Sequence, residues 1–270
     1  MTNTIGFPKL GLEFNINRIA FEVFGRPIYW YALLIMTGFI LAVIFVLKTC
    51  KKRGLAEDHV FDIGFYGLLF GILGARLYYV LFDIESIRGN ILNFFKIWEG
   101  GLAIYGGIIA AIITAAVYCK IKKISILNTF DVCCPGLFIG QAIGRWGNFV
   151  NAEVYGKETS SLLGMTINGM GPYQPLFLYE SLWNLSGFII LLIFRDKKTA
   201  NGQVFFGYIL WYGIGRLLLE GMRQSEYILY VIDGVLGISQ LVSAVAIIAA
   251  IVGFIVVTKR GKKIVNPIDK

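Results

Sequence analysis

The sequence predicts an all-α integral membrane protein: a polytopic helical domain with about seven transmembrane helices, N-terminus outside and C-terminus cytoplasmic. Three observations carry that expectation. Hydrophobic residues make up 57% of the 270 positions and charged residues only 16%, whereas a soluble domain carries about 25% charged residues to solvate its surface. Mean hydropathy is +0.70, and the apolar residues gather into runs long enough to cross a bilayer. Basic residues recur after every second run. A chain of this kind cannot cover itself with charge. The same figures exclude a disordered segment, a coiled coil and a disulfide-rich secreted scaffold.

A span takes about 20 predominantly apolar residues, usually about 17–25. Seven apolar stretches can be read in order: Ile28–Leu47, Ile63–Phe82, Leu102–Tyr118, Val132–Phe149, Leu176–Phe194, Val204–Leu219 and Leu236–Val257. The first and last are free of charge; the sixth is short and contains Arg216. Backbone groups in lipid must be paired internally, and these runs lack strand alternation, so helices follow. Residues 1–27 mix polar and apolar side chains and read as an outward arm rather than a cleavable signal. Within it Ile16, Ile19, Phe21 and Val23 alternate loosely, as a segment lying along the outer interface would. Residues 150–175, with Gly164, Gly169, Gly171 and Pro172, read as an outward loop, and 258–270 as a basic cytoplasmic tail. The whole chain, 1–270, is expected to form one membrane domain.

Orientation follows from the Lys and Arg residues. Lys48, Lys51, Lys52 and Arg53 follow the first stretch, Lys120, Lys122 and Lys123 the third, and Arg195, Lys197 and Lys198 the fifth. Lys259, Arg260, Lys262, Lys263 and Lys270 follow the seventh. Most of the basic residues thus fall on one side. The net charge of +8 is a topology signal, and no nucleic-acid partner is expected. Cys50 and Cys119 sit at cytoplasmic ends of stretches, while Cys133 and Cys134 are adjacent within one, so no disulfide framework is implied. His59 is the only histidine and falls in the first cytoplasmic loop. Neither a metal site nor a cofactor is expected.

Ionisable groups inside a bilayer are costly, so each is a functional candidate. Arg76 lies about 9 Å into the outer half of the second stretch, and Arg145 about 6 Å from the outer end of the fourth. Glu180 lies about 6 Å in from the outer start of the fifth and Arg216 about 5 Å from the outer end of the sixth. Tyr31 and Tyr105 occupy the fourth positions of the first and third stretches, on that same side. Six stretches therefore place a polar side chain at similar depth. Taken singly, Arg216 can snorkel to the interface and Tyr31, beside Trp30, can belong to an aromatic belt. Arg216, Glu220 and Arg223 are spaced by four and three, on one helical face; that also suits a salt-bridged helix end. Arg145 and Asn148 share a face, and Gly144 and Gly147 permit close approach of a lipid headgroup or, more often, of a neighbouring helix. Two arginines at one depth suit a phosphate, which guanidinium groups grip through paired hydrogen bonds. In the outer leaflet the natural phosphate is a phospholipid headgroup.

The run Gly144-Arg145-Trp146-Gly147-Asn148-Phe149-Val150-Asn151-Ala152-Glu153-Val154-Tyr155-Gly156 resembles the signature of the bacterial prolipoprotein diacylglyceryl transferase family. The likeness extends over most of the chain: Trp30-Tyr31, Ala75-Arg76-Leu77, Trp98-Glu99-Gly100-Gly101-Leu102-Ala103-Ile104-Tyr105-Gly106-Gly107, Gln174-Pro175 with Tyr179-Glu180, and Gly215-Arg216 with Glu220 and Arg223. The resemblance implies transfer of the diacylglyceryl group of phosphatidylglycerol to the lipobox cysteine thiol of prolipoprotein signal peptides. A thioether forms and glycerol phosphate is released, as the first step of lipoprotein maturation in the plasma membrane. The chemistry suits the residues. A thiol of ordinary pKa about 8.5 must become a thiolate, and the leaving phosphate must be neutralised in a water-poor site.

Carried over by the resemblance, Arg145, Arg216 and Tyr105 are the catalytic candidates. Arg145 is expected to contact the headgroup, with Asn148 and Glu153 orienting it, and Arg216 to stabilise the departing phosphate, fixed by Glu220. Tyr31, Arg76, Gly156, Glu180 and Arg223 complete the expected substrate-binding set. Two departures stand out. Many family members have His where this chain has Tyr105, and a phenol with ordinary pKa near 10 is a weak base at neutral pH. Ser225-Glu226 follows Arg223-Gln224 where Pro-Asp is common. Two other classes compete. A headgroup transferase or phosphatase would call for an Asp-rich metal site or a catalytic His; the non-enzyme rival is a seven-helix receptor or a transporter, the latter with polar groups near midplane and paired broken helices.

Overall fold

The computed structural model describes residues 2–84, 91–96, 100–232 and 234–261. The Trp98-Glu99 pair and Lys262, Lys263 and Lys270 of the basic tail lie outside the described residues. Seven long helices are described: α1 (Trp30–Cys50), α2 (Glu57–Phe82), α3 (Ile104–Ile121), α4 (Ile126–Asn151), α5 (Leu176–Arg195), α6 (Gln203–Glu220) and α7 (Ile238–Arg260). Six of them are long and apolar enough to cross a membrane; α6 is not among these, because Gln203, Arg216 and Glu220 dilute its apolar run. The helices form at the predicted stretches but often outrun them. His59 accordingly belongs to the first turn of α2 rather than to a loop.

The expectation of an all-α fold needs correction. Among the described residues eight short strands accompany the helices: β1 (Thr2–Phe7), β2 (Leu12–Asn17), β3 (Ile19–Val23), β4 (Arg26–Tyr29), β5 (Met165–Ile167), β6 (Met170–Tyr173), β7 (Tyr230–Ile232) and β8 (Leu236–Gly237). Strands β2-β1-β5-β6 form one antiparallel sheet, with Ile5 opposite Ile167 and Gly6 opposite Thr166. The N-terminal arm and the 150–175 loop therefore build one sheet together. Ile28, predicted to open the first span, belongs to the hairpin β3-β4.

The chain divides into two compact units, one of residues 1–45 and 133–270 and one of residues 46–132. In the first, Ile5 and Phe7 of the sheet are buried with Met165, Ile167 and Phe177. Phe149 and Phe177 pack ring to ring at 4.6 Å, which joins this core to α4 and α5. The last carbonyls of α4, orphaned as at any helix end, are met from the arm: Asn3 Nδ2 donates to Val150 O and Arg18 Nη2 to Asn151 O. Ser181 donates to the Ala142 carbonyl and accepts from the Trp146 indole, tying α4 to α5. Trp183 and Trp211 stack at 4.7 Å, each indole donating to the other's backbone carbonyl at 3.0 Å. Gly215 and Gly187 leave the space these two indoles fill.

In the second unit α2 and α3 pack through small residues: a Cβ at Gly74 would meet Gly106 O at 2.9 Å, and one at Gly107 would meet Gly71 O at 3.3 Å. Close backbone approach of this kind is how apolar helices associate in lipid. Towards the opposite end of the pair, Tyr118 donates to Asp62 at 2.6 Å and lies 2.9 Å from His59 Nδ1.

Candidate active site

Glu180 stands in the second turn of α5, with its side chain 8% exposed, and three arginines address its carboxylate. Arg145 of α4 ion-pairs Oε2 through Nε. Arg223, just beyond α6, reaches Oε1 through Nη2 at 3.0 Å, and Arg216 Nη1 lies 4.0 Å from the same oxygen. Glu220, whose side chain is 2% exposed, holds Arg216 Nη2 at 2.7 Å and Arg223 Nε at 3.2 Å. The Arg216–Glu220–Arg223 spacing thus makes the helix-end salt bridge its spacing suggested, and also extends across to α5. Three guanidinium groups share two carboxylates, leaving one positive charge in a place largely removed from water. Arg216 Nη1 is buried with no hydrogen-bond partner.

Arg145 Nη1 donates to Asn148 Oδ1 at 3.3 Å, and the amides of Asn148 and Asn151 both donate to Glu153 Oε1 at 3.2 Å. Glu153 can turn back on its own helix because Ala152 and Val154, on either side, adopt φ of 53° and 54°. A β-branched residue at positive φ is uncommon and strained, and such strain persists where surrounding contacts over-determine it. Of the two glycines in this run, Gly147 receives the ring of Tyr31, 2.6 Å from where its Cβ would stand, and Gly144 receives Ile35. Here they serve helix packing. Gly156 pairs as an isolated bridge with Arg223; a Cβ there would meet Gln174 Cβ at 2.7 Å and Met222 O at 2.9 Å. Its place in the sequence motif is explained by backbone approach that seats Arg223.

A narrow cavity opens on the charged cluster, lined by Arg145, Glu180, Trp183, Asn184, Tyr212, Gly215, Arg216 and Leu219. Sequence reasoning missed Trp183, Asn184 and Tyr212; their i, i+4 spacing from Glu180 and Arg216 was the available signal for the last two. Tyr31 joins through its contact with Gly147 and Asn148 through Arg145.

Arg76 and Tyr105 belong to the other unit. Arg76 is 5% exposed and donates to four backbone carbonyls, those of Phe94, Gly100, Gly101 and Asn93, at 2.7–3.0 Å. Its guanidinium also lies 5.6 Å from the Tyr79 ring. These contacts make it a clamp on the segment that leads into α3. Gly101, at φ 73°, cannot carry a Cβ without striking Arg76 and Tyr79. Tyr105 stands in the first turn of α3, partly exposed, next to the Gly106-Gly107 contact with α2. Sequence reasoning put Arg76 with the substrate-binding residues; the donors described here are spent on backbone.

These features define a multi-pass helical membrane protein with a buried, net-cationic cluster near one end of α4, α5 and α6. The chain belongs to the prolipoprotein diacylglyceryl transferase family, whose model matches residues 18–256. It is similar to the phosphatidylglycerol–prolipoprotein diacylglyceryl transferase of Enterococcus faecalis, 42% identical over 91% of each chain. The enzyme of that name from Finegoldia magna is 42% identical over 94% of this chain and all of its own. The one from Listeria monocytogenes is 39% identical over 87% of this chain and 88% of its own.

Proposed function

We propose that this protein transfers the diacylglyceryl group of phosphatidylglycerol to the lipobox cysteine of prolipoproteins. The observation that carries the reading is the cluster on Glu180, which is one positive charge in excess and opens on a cavity. A phosphodiester brings the single negative charge that balances it. Family membership and the names of its relatives supply the reaction.

The thiolate sulfur attacks the glycerol carbon that bears the phosphate, a carbon–sulfur bond forms, and the carbon–oxygen bond to phosphate breaks. Glycerol phosphate departs with the electron pair. Arg145 grips the phosphodiester, held by Glu180 and oriented through Asn148 and Glu153. Arg216 meets the charge that grows on the leaving phosphate, a role supported by its buried Nη1, which has no hydrogen-bond partner. Donors fixed in advance in a site that excludes water stabilise developing charge without reorganising. Glu220 and Arg223 hold Arg216 and Glu180 in place. Tyr31 packs beside the Arg145 segment, Tyr105 orients the incoming peptide, and Arg76 shapes the segment before it.

The same reading makes α6 a seventh span, completing the alternation of basic residues, with the N-terminus outside and the tail in the cytoplasm. The charged cluster then lies in the outer leaflet of the plasma membrane, where a signal-peptide cysteine emerges. The test is direct. Purified protein incubated with phosphatidylglycerol labelled in its acyl chains and a lipobox peptide should yield labelled peptide. Release of label without its transfer to the peptide would contradict the reading.

A further inference from the structure

Below the charged cluster the cavity has a second, neutral tier. Glu180 lies near the start of α5 and Arg216 near the end of α6. Four residues from each, towards the middle of its helix, stand Asn184 and Tyr212, and both line the cavity with the charged pair. One helical turn is about 5.4 Å, so a polar but uncharged pair sits one turn deeper than the ions. Asn184 is 5% exposed, yet its amide has no hydrogen-bond partner among the described residues. Buried polar side chains in native proteins are almost always paired. A buried amide left open and facing a cavity marks a ligand contact.

What fits there follows from the order of groups along a phospholipid. A phosphate held by Arg145 and Arg216 leaves the glycerol backbone and its ester carbonyls on the side of the acyl chains, towards the middle of the helices. Ester carbonyls accept hydrogen bonds and donate none. An amide nitrogen and a phenol both donate. We propose that Asn184, with Tyr212, recognises the ester carbonyls of the diacylglyceryl unit and so selects diester over diether lipid. This rests on the transferase reading above. The ester groups are not broken in the reaction, so their recognition positions the glycerol carbon without entering the chemistry.

The test compares phosphatidylglycerol with its dialkyl ether analogue, which keeps the headgroup and charge and lacks both carbonyls. Neutral hydrogen bonds of this kind are worth roughly five- to tenfold in kcat/KM, so the wild type should favour the diester by about that factor. Asn184→Leu should bring the ratio of the two lipids to within about twofold of unity, and Tyr212→Phe should move it part of the way. A wild type that uses both lipids equally overturns the inference. So does an Asn184→Leu enzyme that loses activity on both lipids in equal proportion, the signature of a merely structural side chain. Should Asn184→Leu fail to fold, Asn184→Ala and Tyr212→Phe give the same ratio and decide on the same terms. Absence of transfer from either lipid by the wild type overturns the transferase reading itself; transfer with an unmoved ratio overturns this inference alone.

Discussion

Arg216 and Glu220, one turn apart on α6, are joined at 2.7 Å where the Glu220 side chain is 2% exposed. The pair does not stand alone, since Glu220 also holds Arg223, and Arg223 holds Glu180 across on α5. Removing one partner of a buried ion pair costs about 3–5 kcal/mol, because the other charge is left uncompensated. Glu220→Gln keeps the shape and removes the charge. It should lower the unfolding temperature in detergent and bring phosphate-site activity down with it. An unchanged melting curve would remove Glu220 from its role as the anchor of both arginines.

Arg145 uses a planar guanidinium to reach Glu180 and Asn148 at once. An ammonium at this position cannot make both contacts and still grip a phosphodiester through two parallel donors. Arg145→Lys is therefore expected to recover little of what Arg145→Ala loses. Steady-state kinetics of the two variants in the same detergent check this, and a lysine enzyme near wild-type rate would contradict it.

Gly101 is required by both conformation and space. Its φ of 73° disfavours a side chain, and the space a Cβ would occupy holds Arg76 and Tyr79. Gly101→Ala should displace Arg76 from its four carbonyls and loosen the start of α3. Hydrogen exchange should rise at residues 100–107 in that variant. Protection equal to wild type would show that the clamp tolerates the change.

Tyr105 stands in the first turn of α3. If its task is to orient peptide, Tyr105→Phe stays within a few-fold of wild type from mildly acidic to mildly alkaline pH. If the phenol takes the thiol proton, the loss should approach the roughly 10²–10⁴-fold that general-base catalysis contributes. A pH–rate profile of Tyr105→Phe separates the two, and a loss of that size would overturn the orienting role.

The helices were legible because lipid admits little else: a long apolar run without alternation has one way to satisfy its backbone. The sheet was not. Strand β1 is six residues long, and its partner β5 lies beyond α4, so the pairing of Ile5 with Ile167 leaves no local trace. Arg145, Glu180, Arg216 and Glu220 stood out because charge in a span is costly. Asn184, Tyr212 and the Trp183–Trp211 stack did not, since neutral and aromatic side chains are ordinary there. Gly156 was visible as a motif glycine, but its bridge to Arg223 is visible only in the folded chain. Arg76 was legible as buried charge, while its four carbonyl partners are visible only in the folded chain.

The central claim is that the cluster on Glu180 is the phosphate site of a diacylglyceryl transfer. It is tested most directly by the transfer rate of Arg216→Ala from labelled phosphatidylglycerol to a lipobox peptide, measured at saturating lipid. Loss of one preorganised charge-assisted donor costs on the order of 10²–10³ in rate, and the account predicts a fall of that size in kcat, with a smaller change in KM because leaving-group charge develops in the transition state. Turnover near wild type in a folded Arg216→Ala protein would contradict it.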